Sequence, residues 1–141
     1  TLRQGKDLTI VSYGSTLRLV MEAAEELKPM GVDTEVIDIQ SLLPFDRNQD
    51  IQKSISKTNR LLIVDEDVPG GGTAFILSQL FEEQRVFKML DSPPKLLSAK
   101  AHRPAYGSDG DYFSKPSTDD IIEAAYAMLH EADPRNYPEI R

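Results

Sequence analysis

A chain of 141 residues is long enough to bury one sizeable core and too short for two comfortable domains. Its 16 Lys and Arg against 23 Asp and Glu leave a formal net charge of -7, which sets it against a phosphate backbone, and it shows no basic stripe or aromatic platform for nucleic acid. The absence of cysteine excludes disulfides, thiolate nucleophiles and sulfur-ligated metals together, and fits a reducing compartment.

No apolar run approaches the roughly 20 residues that cross a bilayer, and no hydrophobic segment of signal-peptide type follows Thr1 to Asp7. The expectation is a soluble, intracellular protein with no membrane partner. The chain opens on Thr1 instead of Met, as a fragment would, although cleavage leaves the same trace.

Leu8-Thr9-Ile10-Val11 is a short β-favouring run that ends at Ser12-Tyr13-Gly14-Ser15, where small residues allow a tight turn. Leu17, Val20, Met21, Ala24 and Leu27 then recur at helical spacing, and Pro29 and Gly31 close that helix. Val32 to Asp38 predicts the next strand, and Leu42-Leu43-Pro44-Phe45 a connection too proline-bound to continue a ladder. Asp46 is placed to cap a helix with Ile51 and Ile55 as its apolar contacts. Leu61-Leu62-Ile63-Val64 is the cleanest buried-strand signal.

Pro69-Gly70-Gly71-Gly72 opens a long helical pattern in which Phe75, Ile76, Leu80, Phe81 and Phe87 can cover the sheet. Lys95 to Ala99 predicts a short strand near an edge, and His102 to Lys115 an ordered loop. Ser117 can cap the last helix with Asp120 as its capping-box partner, and Ile121, Ile122, Ala125, Met128 and Leu129 supply its buried side. The predicted organisation is one α/β domain over residues 1–132 and an extended tail over 133–141. Four strands alternating with four helices favour a mostly parallel sheet in a three-layer α/β/α arrangement, with right-handed crossovers and the Leu8 strand central.

Asp38, Asp65, Glu66 and Asp67 fall at carboxyl ends of strands, the edge where open α/β sheets bind ligands. They can hold a cation or meet a partner, or simply be solvated or cap helices. Gly70 to Thr73 can present N–H groups to an anion, but lacks the lysine and spacing of a P-loop; a close-approach turn is the better account. His102 beside Arg103 can serve an interface or touch a substrate, and His130 falls beyond the buried positions of the last helix and is expected on the surface. No G-x-S-x-G elbow or H-E-x-x-H pair is present, so no catalytic, cofactor-binding or metal-ligating residue is assigned. Phe87, Tyr106, Tyr112, Phe113 and Tyr137 are candidate aromatic anchors for a partner.

Three ordered segments carry a resemblance. Leu2 to Gly14 (LRQGKDLTIVSYG), Glu35 to Asp46 (EVIDIQSLLPFD) and Lys57 to Glu66 (KTNRLLIVDE) resemble the C-terminal domain of the β subunit, or β-like half, of thiamine-diphosphate-dependent 2-oxo acid dehydrogenases, the E1 components of their complexes. The resemblance implies a transketolase C-terminal fold with the Leu8 strand between the Val32 and Leu61 strands. It implies oxidative decarboxylation of pyruvate or a branched-chain 2-oxo acid, with acyl transfer to lipoyl, in the parent enzyme. Thiamine diphosphate and Mg belong to other regions of that parent, so this piece alone is expected to bind neither and to be inactive. Its implied partners are other E1 domains or subunits and the dihydrolipoyl acyltransferase (E2), in the cytoplasm or, in a eukaryote, the mitochondrial matrix. Ile76 stands where the family has a helix glutamate, and Ala101 to Gly107 replaces an Asp-x-Pro-x-Pro segment. The alternatives are the last domain of another thiamine enzyme, such as transketolase or deoxyxylulose phosphate synthase, a free-standing small-ligand domain, and, least favoured, a small nucleotide-dependent enzyme.

Overall fold

The computed structural model describes residues 1–40, 46, 48–66, 71–99 and 115–140. Among them β1 (Leu8–Ser12), β2 (Thr34–Asp38), β3 (Leu61–Val64) and β4 (Lys95–Leu97) form one parallel sheet in the order β2-β1-β3-β4. β1 is central and buried along its whole length, which suits its near-continuous apolar run.

Alternate residues of each strand face opposite layers. Leu8, Ile10, Val36, Leu62 and Val64 pack with Val20, Ala24 and Leu27 of α1 (Thr16–Leu27) and with Ile121, Ala125 and Leu129 of α4 (Thr118–Ala132). Val11, Ile37, Leu61 and Ile63 pack with Ile51 and Ile55 of α2 (Asp50–Thr58) and with Ile76 of α3 (Gly72–Ser78). Helices therefore cover both faces, as expected. The face under α2 carries a polar knot: the buried Thr9 hydroxyl bonds both Ser54 Oγ at 2.7 Å and Thr58 Oγ1 at 2.6 Å.

Several predicted boundaries shift for local reasons. β2 begins at Thr34 and not at Val32, because Gly31 turns left-handed and the Asp33 N–H is taken by the Asp7 carboxylate. Asp46 reaches α2 from outside the cap position, accepting from the N–H groups of Asp50 and Ile51 at 2.9 and 3.0 Å. The long helix predicted from Gly72 breaks: α3 widens into a π turn over Gln79–Glu83, and Arg85 at φ 55 ends it before a short 3-10 turn over Val86–Met89. Phe87 consequently stands 50% exposed against Phe81 and does not cover the sheet. The capping box of α4 is present in full, with Ser117 Oγ accepting from Asp120 N and the Asp120 carboxylate accepting from Ser117 N.

Both chain ends fold back onto the domain. Leu2 and Arg3 pair antiparallel with Val36, so this strap lies along the outer edge of β2. Gly5 allows it, since a Cβ there would collide with the Thr34–Glu35 peptide. The tail is turned rather than extended after α4: Asp133 accepts from Asn136, and Tyr137 packs on the α1/α4 layer edge-on to Tyr126. No helix among the described residues is long and apolar enough to cross a membrane.

Candidate functional site

Parallel strands deliver their C-terminal residues to one edge, and here that edge receives Ser12 and Tyr13 from β1, Asp38 from β2, Asp65 and Glu66 from β3, and Ser98 from β4. Ser12 Oγ donates to the Val64 carbonyl at 2.7 Å, and the Asp65 N–H donates to the Leu97 carbonyl at 3.1 Å, so the three strand ends are tied together. Tyr13 Oη donates to Asp65 Oδ2 at 2.9 Å, and Asp65 is fully buried. Directly beside this pair lies Gly72 at the start of α3, where a Cβ would strike both the Tyr13 hydroxyl and the Asp65 carboxylate. The glycine turn is thus a close approach of helix to sheet. Thr73, also buried, faces Ser98 at 3.2 Å between hydroxyls.

The predicted acids do not converge. Asp38 lies on β2, two strands from β3, about 10 Å away by strand spacing, and its carboxylate accepts from Gln40 Nε2 at 3.2 Å. Asp65 is committed to Tyr13, while Glu66 is exposed and pairs with Lys115 at 3.4 Å. Among the described residues no three of His, Asp and Glu gather as metal ligands would. An anion at the Gly71–Thr73 turn would meet the Asp65 carboxylate, which offsets the favourable N–H groups. Asp67, Gly70, His102, Tyr106, Tyr112 and Phe113 lie outside the described residues.

His130 departs from expectation: it is partly buried, with Nδ1 2.8 Å from the Tyr137 carbonyl, because the tail returns over α4. Tyr137 likewise packs on its own core, where burial first, and then the Asp7 carboxylate, raise its phenol above the usual range. Of the two candidate anchors among the described residues, Phe87 and Tyr137, Phe87 is the exposed one.

The sequence reading also passed over a polar clamp on β2. Glu35 is buried and accepts from Lys57 Nζ at 2.5 Å and from the Gly5 N–H at 3.1 Å, and Lys57 also reaches Gln4 at 3.3 Å. Burial pushes the Glu35 carboxyl up, but the bonds from Lys57, Ser54 and Gly5 and the Lys57 charge outweigh it and hold the group below the ordinary value of 4.5. Arg3 adds a bond to the Thr34 carbonyl at 3.1 Å and an ion pair with Glu25 at 2.6 Å. Arg3, Glu25, Glu35 and Lys57 follow one another 10 to 22 positions apart along the chain, so no local spacing signals the strand and helices that bring them together.

A family model for the transketolase C-terminal domain matches residues 1–115. The chain belongs to the transketolase C-terminal domain family. Within it, the chain is 38% identical over 128 residues to the pyruvate dehydrogenase E1 component subunit beta of Mesostigma viride, covering 91% of this chain and 38% of that protein. It is 34% identical over 133 residues to the mitochondrial subunit beta-2 of Oryza sativa subsp. japonica, covering 94% of this chain and 35% of that protein. The Rickettsia felis subunit beta is 32% identical over 92% of this chain and 39% of its own length. The chain therefore spans little more than a third of these relatives. Among solved structures, a split gene transketolase described as an inactive beta4 tetramer matches with a TM-score of 0.70 at 24% identity, over 91% of this chain and 40% of that one. A transketolase mutant from Pichia stipitis matches with a TM-score of 0.65 at 18% identity, over 93% and 18%. At those identities the structures attest the family's fold, which the sheet order β2-β1-β3-β4 shares with the expectation drawn from the resemblance.

Proposed function

We propose that this chain is the C-terminal assembly domain of the E1 component of a 2-oxo acid dehydrogenase, as a β subunit or β-like half. Pyruvate is the favoured substrate, ahead of a branched-chain 2-oxo acid. The observation that carries the reading is the similarity of more than nine-tenths of the chain to the pyruvate dehydrogenase subunits. In the parent, loss of carbon dioxide from the 2-oxo acid draws on the electron-sink chemistry of thiamine diphosphate with Mg, and the acyl unit passes to lipoyl. This chain supplies no catalytic, cofactor-binding or metal-ligating residue to that reaction, and the scattered acids of its carboxyl edge support this. Its own work is assembly with other E1 domains or subunits and docking of the dihydrolipoyl acyltransferase. The half-exposed Phe87 is one candidate contact for such a partner. The setting is the cytoplasm, or the mitochondrial matrix in a eukaryote.

Titration of the isolated chain with thiamine diphosphate and Mg in a calorimeter tests the division of labour. No stoichiometric heat is expected, and tight one-to-one binding would overturn it. A pyrimidine-binding domain encoded directly upstream of Thr1 is the expected companion.

A further inference from the structure

The strap along β2 runs antiparallel to that strand, so the backbone traced back from Arg3 through Leu2 to Thr1 heads for the carboxyl end of β2. It is not free to swing. The Arg3–Glu25 pair, the Lys57–Gln4 bond and the close approach of Gly5, whose N–H donates to Glu35, hold it at three successive residues. Thr1 and Leu2 themselves form part of the wall of a groove of about 530 Å³, together with Asp38, Gln40, Asp46 and Asp50. Consecutive Cα atoms are about 3.8 Å apart. Any residues joined to Thr1 therefore begin inside or at the mouth of this groove.

The lining has a definite chemistry. Among its described lining residues the acids are Asp38, Asp46 and Asp50 and the cation is the Thr1 ammonium. Asp46 is already taken up by Asp50, Ile51 and Gln84, which leaves Asp38 and Asp50 to meet an occupant once a peptide bond to a preceding residue removes the Thr1 charge. What then fits is a short segment bringing Lys, Arg or amide donors.

We propose that the groove between β2 and the start of α2 seats the polypeptide that immediately precedes Thr1 in the longer parent, so that the link between the two domains is a docked strand and not a free linker. This rests on the reading of the chain as the last domain of a larger enzyme. It adds a surface, an occupant and a direction: the upstream domain leaves from the carboxyl edge on the β2 side, away from β4.

Hydrogen exchange followed by mass spectrometry on the full-length gene product tests it. The residues directly before Thr1 and the amides of Ile37 to Gln40 are expected to exchange slowly. The charge reversal Asp50→Lys is expected to speed both by roughly tenfold, with Asp50→Asn intermediate. Unchanged exchange at the Lys95 to Leu97 strand shows that the fold is intact; should Asp50→Lys disturb it, Asp38→Asn serves as the second variant, with the same direction of effect. Free exchange of the upstream residues in the wild-type protein, or indifference to variants whose fold is intact, overturns the assignment. A full-length product without thiamine-dependent activity would remove the proposed enzyme and leave the groove assignment standing. A thiamine enzyme with a freely exchanging upstream segment removes the groove assignment alone.

Discussion

At Gly72 there is no room for a methyl group, because the nearest atoms are the Tyr13 hydroxyl and the Asp65 carboxylate that it bonds. Gly72→Ala is expected to cost about 1–3 kcal/mol by overpacking, measured by urea unfolding. In a Tyr13→Phe background the cost should be smaller, since the hydroxyl in the way is gone, and a double-mutant cycle reads that coupling. At the β2 clamp, Lys57 is half exposed while Glu35 is nearly inaccessible. Lys57→Met should therefore cost about 1–3 kcal/mol, less than loss of a fully buried partner. Because the folded Glu35 carboxyl lies below 4.5, its contribution is fully present above that pH and is lost as pH falls through the folded value. Glu35→Gln should flatten that part of the acid limb in stability measured against pH. Neither pair was legible beforehand. Tyr13 and Asp65 are 52 positions apart, and in the sequence they are a tyrosine in a turn and an acid after a strand; only the adjacency of β1 and β3 makes them partners.

Elements were legible where one local signal decided them. The apolar run of β3 and the Ser117-to-Asp120 capping box both read through directly, and Ser117→Ala is expected to lower stability by about 1 kcal/mol in thermal or urea unfolding. The region after Gly72 misled because helical spacing of apolar residues persists through Phe81 and then lands on Phe87, with nothing to mark the extra residue of the π turn. Its end depends on Arg85 holding a left-handed backbone. Arg85→Gly should be neutral or stabilising by about 0.5 kcal/mol, and Arg85→Val should destabilise by about 1–2 kcal/mol, which chemical denaturation of the two variants would separate. His130 misled for the opposite reason: its position on α4 is right, but the returning tail covers it.

For the molecule as a whole, alternation of strands and helices sufficed for the three layers, and the resemblance supplied the order of strands that periodicity does not carry. Asp38, Asp65 and Glu66 were correctly placed at strand ends, yet whether they meet depends on that order, and β1 lies between Asp38 and Asp65. The strap closes the outer edge of β2, a row of backbone groups that would otherwise be a template for another strand. Removing residues 1–5 is expected to lower stability and to promote self-association, seen by light scattering behind size exclusion. Beneath α2, the Thr9 hydroxyl meets Ser54 and Thr58 on the face that also carries Val11, Ile37, Leu61 and Ile63 and, beside Thr9 on β2, the clamped Glu35. A one-residue slip of β1 would place a leucine or isoleucine under those hydroxyls and turn Thr9 towards the layer beneath α1 and α4. The three oxygens thus act as a checksum on chain alignment: a misaligned core could be just as greasy, but it would betray itself through stranded hydroxyl groups.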